Sequence, residues 1–279
     1  MLLIFGLGYS GRAVAALART HGFVVRGTLR DASSEGIAFD QAGEALAGAT
    51  HLLSTVPPDA AADPVLARYA EAIATAPRLR WIGYLSSTVV YGDRAGGWVD
   101  EDTPPAPSQE RGHRRLAAEQ AWSRFADRRA VDIFRLAGIY GPGRSALDDL
   151  QAGRVRRISK PGHAFGRIHR DDIAGAVVAA MQQARPSGTR VLNLNDDEPA
   201  ETSAVIAEAA ALLGMPLPAE MPFDRAYADM SPIARSFWAE NRKVASRKTQ
   251  RALGIAWRYP SYREGLRAIL REQRSQEPV

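Results

Sequence analysis

The chain has 279 residues, 46% of them apolar and 24% charged, an ordinary balance for a globular protein that can bury a large core. It carries no cysteine, which excludes disulfides, thiol nucleophiles and thiolate metal sites. Lys and Arg outnumber Asp and Glu by 36 to 31, for a formal charge of +5, and only Lys160, Lys243 and Lys248 of the basic residues are lysines. Arginine in such excess suits phosphate or carboxylate ligands. No basic patch interleaved with aromatics appears, so nucleic acid is not an expected partner. No uncharged apolar run reaches the roughly 18–20 residues of a membrane span. The first apolar stretch is short and lacks a basic leader, so the cytoplasm is the expected location, with no membrane partner.

The first eleven residues organise the chain. Leu2 to Phe5 reads as a buried parallel strand. It enters Gly6-x-Gly8-x-x-Gly11, and Val14, Leu17 and Ala18 then follow a helical period. Strand, glycines and helix in that order are the context of the dinucleotide fingerprint. Gly6 permits the tight turn, Gly8 lets a pyrophosphate approach, and Gly11 lets helix and strand pack closely. The helix N-terminus offers N–H groups and partial positive charge to the phosphates. A second strand, Phe23 to Thr28, ends at Leu29-Arg30-Asp31. An arginine there accommodates the 2′-phosphate of NADP, whereas an acid accepts from the 2′-hydroxyl of NAD. Arg30 favours NADP, Asp31 keeps NAD open, and Arg12 is a second phosphate candidate.

A short apolar piece and a small helix occupy 37–50. His51 to Val56 reads as a strand stopped by Pro57-Pro58. Ligands sit at the carboxyl ends of such strands, so Ser54 and Thr55 are expected to line the groove. Asp63-Pro64 opens a helix as N-cap and first residue. Leu79 to Leu85 is a strand, 93–108 a loop, Gln109 to Arg128 a helix, and Asp132 to Leu136 a sixth strand. This alternation predicts a doubly wound parallel α/β sheet. Past 145 the alternation breaks. The expected elements are a hairpin of 155–159 with 164–168, a helix from Asp171 to Gln183 capped by its acidic residues, a strand from Arg190 to Leu194, and a helix from Glu201 to Leu213. Residues 241–256 and 261–273 close the chain.

Six stretches together resemble the extended short-chain dehydrogenase/reductase superfamily over nearly the whole length. They are the glycine loop, Leu85-Ser-Ser-Thr-Val-Val-Tyr-Gly92, Arg135-Leu-Ala-Gly-Ile-Tyr-Gly-Pro-Gly143, Arg167-Ile-His-Arg-Asp-Asp-Ile173, Val191-Leu-Asn-Leu-Asn195, and the closing Ser246-Arg-Lys … Leu-Gly-Ile255 with Glu264-Gly-Leu266. The resemblance implies a Rossmann-type core over 1–145, continued by about 168–195. It implies a smaller substrate lobe from 146–167 and 196–279, and a homodimer built on two core helices. It also implies Ser87 as the catalytic serine and Ser86 as a cofactor contact, with Tyr9, Ser10 and Ala137 completing the cofactor set.

One feature departs from the family. Its helix reads Tyr-x-x-x-Lys-Leu-x-x-Glu, and Arg115-Leu-Ala-Ala-Glu119 matches the second half. Arg115 therefore replaces the lysine and Arg111 the tyrosine. Arginine stays protonated and cannot shuttle a proton. This points to an atypical branch whose members bind NADP and often lack the full active-site set. Asp63 matches an aspartate that replaces the family's structural asparagine, besides its capping role. Tyr91 and His169 read as structural or capping residues. No histidine spacing suggests a metal site. The expected function is an oxidoreductase, epimerase or dehydratase on a small, polar, anionic substrate held by Ser87, Arg111 and Arg115. The alternative is a silent NADP-binding sensor or scaffold.

Overall fold

The computed structural model describes residues 1–31 and 33–276. Its first half contains β1 (Leu2–Phe5), α1 (Tyr9–Thr20), β2 (Val25–Leu29), β3 (Ile37–Ala38), α2 (Gly43–Gly48), β4 (His51–Ser54), α3 (Pro64–Thr75) and β5 (Trp81–Ser87). Next come β6 (Trp98–Val99), α4 (Glu110–Ser123), β7 (Ala130–Leu136), β8 (Gly138–Tyr140), α5 (Ala146–Gln151), β9 (Arg157–Ser159) and β10 (Arg167–His169). The chain continues through α6 (Arg170–Gln182), β11 (Gly188–Leu194), α7 (Thr202–Leu213), β12 (Glu220–Pro222), α8 (Phe223–Ala228), α9 (Pro232–Trp238), β13 (Lys243–Val244), α10 (Arg247–Leu253) and α11 (Tyr262–Gln276).

Seven strands form one parallel sheet in the order β3-β2-β1-β4-β5-β7-β11. The order reverses between β1 and β4, which creates the crevice where ligands bind in such sheets. Leu2 to Phe5 are fully buried because helices cover both faces of the sheet. On one face Val14, Ala15 and Ala18 of α1 pack with Ile173, Val177 and Met181 of α6. On the other, Tyr69 and Ile73 of α3 pack with Trp122 of α4. Asp63 ties these elements together. Its carboxylate accepts from Val65 N and Leu66 N, and from Trp122 Nε1 at 2.8 Å. It thus caps α3 and anchors α4 at once. The lobe has its own core, with Leu147 and Leu150 of α5 against Ile206 and Ala209 of α7 and Leu266 and Ile269 of α11.

Two expectations fail. The 155–159/164–168 hairpin does not form. Instead β9 pairs in parallel with β12, and β10 in parallel with β8. Two adjacent extended pieces look like a hairpin in sequence, but each finds its partner far along the chain. The cap of α6 is also not acidic: His169 Nδ1 accepts from Asp171 N at 3.1 Å. Asp172 is drawn away to accept from Arg258 N and Tyr259 N, which pins the segment before α11. Strand limits shift by one or two residues elsewhere, as with β4, which ends at Ser54 before the prolines.

Candidate functional site at the carboxyl edge of the sheet

The glycine loop follows β1. Gly6 has φ +94°, open to glycine alone without strain, and a Cβ on Gly11 would lie 2.2 Å from the Gly6 carbonyl. Thr55, just past β4, donates from Oγ1 to the carbonyls of Gly6 at 2.7 Å and Phe5 at 3.3 Å. Thr55 therefore builds the loop itself. Ser54 is fully buried, and its Oγ has no partner among the described residues. Tyr9 donates to the Pro142 carbonyl at 3.0 Å, and Arg170 lies 5.0 Å from its ring. Ser10 is buried at the start of α1.

This loop fits a dinucleotide pyrophosphate. A Cβ built on Gly8 meets nothing within 4 Å, so the space in front is open. No side chain caps α1, and no acidic residue sits in its first turn. Its leading N–H groups and helix dipole are thus available to an anion. At the adenosine end Arg30 follows β2 and is exposed, as is Asp31 beside it. Arg12 is paired with Glu35 at 2.6 Å, both side chains about half exposed. Such a pair contributes little and yields readily to a stronger anion.

The far end of the groove is set by β5. Ser87 Oγ accepts from Val89 N at 3.3 Å, capping the 3-10 turn Thr88–Tyr91. Ser86 is buried and donates to Glu119 Oε1 at 2.5 Å. Glu119 also holds Arg135 of β7 in a fork, with a closest approach of 2.7 Å, and both side chains are nearly inaccessible. Burial works against the Arg135 charge, but the Glu119 pair outweighs it and raises the guanidinium pKa. Arg135 stacks on Tyr91, whose hydroxyl donates to Asn193 Oδ1 at 2.8 Å. This buried network joins α4, β5, β7 and β11 beneath Ser87. Sequence reasoning did not find its pairing, although Glu119 and Arg135 both stood in quoted motifs. A buried acid on the helix opposite an arginine on the strand was the available signal. Ala137, beyond β7, is buried and donates its N–H to the Leu194 carbonyl.

Arg111 and Arg115 lie one turn apart on α4, and the structure gives them different partners. Arg115 Nη1 donates to Tyr84 Oη and to the Leu85 carbonyl, each at 2.9 Å, so it clamps the end of β5. Arg111 reaches α9. Its guanidinium lies 4.2 Å from the centre of the Phe237 ring, and Nη2 meets the Ser236 carbonyl at 3.5 Å. Its Nε is buried without a partner among the described residues. Burial pushes the Arg111 pKa down, with Glu240 opposing. His169 is buried, and burial lowers it to about 4, so it is neutral near pH 7. Its ring meets Tyr140 edge-on, which makes it a capping and packing residue. His113 is exposed on α4.

The strand order, the switch-point crevice and the glycine loop define the class: a nicotinamide-dinucleotide type of Rossmann fold with an added lobe. No family model matches the chain. Over nearly its full length it is similar to a solved structure, a functionally unknown conserved protein from Silicibacter pomeroyi DSS. That match is 44% identical with a TM-score of 0.90, covering 97% of this chain and 98% of that one. The chain belongs to the same family as that protein, and it shares the fold of the short-chain dehydrogenase/reductase superfamily. Among curated proteins it is 34% identical over 145 residues to Protein YeeZ of Escherichia coli (strain K12), covering 52% of this chain and 50% of that protein. The chain thus spans about half the length of that curated relative. The human epimerase family protein SDR39U1, solved with NADPH, shares the fold at 20% identity and a TM-score of 0.78, covering 97% of this chain and 99% of that one.

Proposed function

We propose that the chain is an NADP-dependent oxidoreductase that acts on a small anionic substrate, with the lobe of 146–167 and 196–276 closing the substrate side. The observation that carries this reading is the open, uncapped N-terminus of α1 behind Gly8. Gly6, Gly8, Gly11 and the Tyr9 and Ser10 backbone would hold the pyrophosphate. Arg30 and Arg12 would meet the 2′-phosphate. The bound dinucleotide would supply hydride chemistry. Ser87 would hydrogen-bond the substrate oxygen, held in place by the rigid network behind Ser86. Arg111, with no carboxylate in ion-pair range among the described residues, would take the substrate's negative group. Arg115 would keep the end of β5 fixed. Neither arginine moves a proton, so a proton consumed in the reaction would come from another donor.

Titration of NADPH and NADH, followed by nicotinamide fluorescence, tests the cofactor. NADPH should bind at least about tenfold tighter, a difference near 1.4 kcal/mol. Equal, millimolar binding of both would remove the argument from Arg30. NADPH oxidation across carbonyl and sugar-nucleotide panels tests turnover, which Ser87→Ala should abolish. The replacement of the family tyrosine by Arg111 favours a second reading, a cofactor-binding sensor. In that case no panel member would be consumed, and NADPH would instead alter association with a protein partner.

A further inference from the structure

A cavity of about 400 Å³ opens in the lobe between β8, α5, α7 and α11. It shares no lining residue with Ser87, Arg111 or Arg115. Four arginines line it: Arg144, Arg154, Arg156 and Arg167. Asp149 lies among them and is held by Arg154 at 2.9 Å, which neutralises one charge. Neither Arg144 nor Arg156 has a carboxylate in ion-pair range among the described residues, and both are exposed. Arg167 spends one nitrogen on the Phe165 and Ala200 carbonyls, each at 2.9 Å. Two positive charges, Arg144 and Arg156, therefore face one concavity without a counter-ion among the described residues, while Arg167 feels the buried Asp196 carboxyl.

The inner wall differs from the mouth. Val205, Ile206 and Leu266 make it apolar. Tyr262 also lines it, is 1% exposed, and its hydroxyl is buried with no partner among the described residues. A buried tyrosine hydroxyl ordinarily finds a partner. Here the donor stands at the edge of an apolar recess rimmed by guanidinium groups.

We propose that this cavity is a second ligand site, one for a small organic oxyanion. A phosphate or carboxylate head would meet the arginine forks, an apolar body would lie on Val205, Ile206 and Leu266, and Tyr262 would complete the hydrogen bonding. Arg144 lies 5.8 Å from the Tyr9 ring, so the site adjoins the glycine loop without forming part of it.

Calorimetric titration of the full chain at low salt, with no dinucleotide present, tests this independently of the proposed reaction. The probes are inorganic phosphate, phenyl phosphate and benzoate. One of the two organic anions should bind once per chain, about tenfold or more tighter than inorganic phosphate, because it also buries an apolar ring. The ratio of phenyl phosphate to benzoate decides the head group. Arg144→Ala with Arg156→Ala should weaken that binding by about tenfold or more. Tyr262→Phe should weaken it roughly three- to tenfold with no loss in melting temperature, because the hydroxyl it removes has no protein partner. Arg156→Ala should leave NADPH affinity unchanged. The proposal fails if neither organic anion saturates, or if binding survives both the double variant and Tyr262→Phe. It also fails if Arg111→Ala abolishes the binding while the double variant does not.

Discussion

At the amino edge of the sheet, Asp132 is fully buried, yet Trp81 Nε1, Arg185 Nη1 and Arg190 Nε all donate to it at 2.8–2.9 Å. Every element of that knot is protein. At the carboxyl edge, buried polar atoms have no partner among the described residues: Ser54 Oγ, Arg111 Nε, His169 Nε2 and Asn195 Oδ1. An unmet buried polar group is costly and is tolerated where a ligand or water meets it. One edge spends its charges on holding the fold, and the other keeps them in reserve. The Glu119–Arg135 pair lies between these extremes, a closed structural pair placed directly under the open groove.

The largest expected effect breaks the closed edge. Asp132→Ala would strand Arg185 and Arg190, and should cost about 3–5 kcal/mol in urea unfolding. A loss under about 1 kcal/mol would erase the distinction between the edges. The open edge predicts the reverse pattern for Gly8→Asp. NADPH affinity should fall about a hundredfold, near 2.7 kcal/mol. Unfolding free energy should stay within about 0.5 kcal/mol of the parent, since a Cβ there meets no protein atom.

Asp196 gives a pH test of intermediate size. Burial pushes its carboxyl up to about 8, with Arg167 opposing and Asp197 adding. The folded chain then keeps a proton that the unfolded chain releases near pH 4. The stability tied to this proton is full below that pH and is lost as pH rises towards 8. Melting curves at pH 5 and pH 8 should show the parent losing stability relative to Asp196→Asn. Parallel behaviour would mean that the carboxyl is not held in the way described. The smallest effect is at the surface. Glu35→Gln should change stability by under about 0.5 kcal/mol, while releasing Arg12 and tightening NADPH. Unchanged NADPH binding would remove Arg12 from the phosphate site.

The core strands and the glycine loop were legible because their signals are local. A four-residue apolar run, three glycines and a helical period all lie within twenty residues. The capping role of Asp63 was legible for the same reason, since its backbone partners are two and three residues away. What could not be read depends on distant partners. Arg111 meets Ser236 across 125 positions, and Arg115 meets Tyr84 across 31. Nothing near either arginine in sequence separates a clamp on β5 from a contact on α9. The missing hairpin has the same origin, because β12 lies some sixty residues beyond β9. Residues 277–279, placed in the lobe from sequence, lie outside the described residues.

Tyr9 ends its reach at the carbonyl of Pro142, and a Cβ on Gly141 would lie 2.5 Å from its hydroxyl. A ligand seated in the glycine loop would therefore lie one side chain away from the strap leading into α5. For the proposed reaction this predicts an order of addition: coenzyme would first steady the strap, and the other reactant would then meet a settled wall. For that reaction, steady-state patterns should be ordered rather than random, with the Gly141 amide exchanging more slowly once coenzyme alone is present.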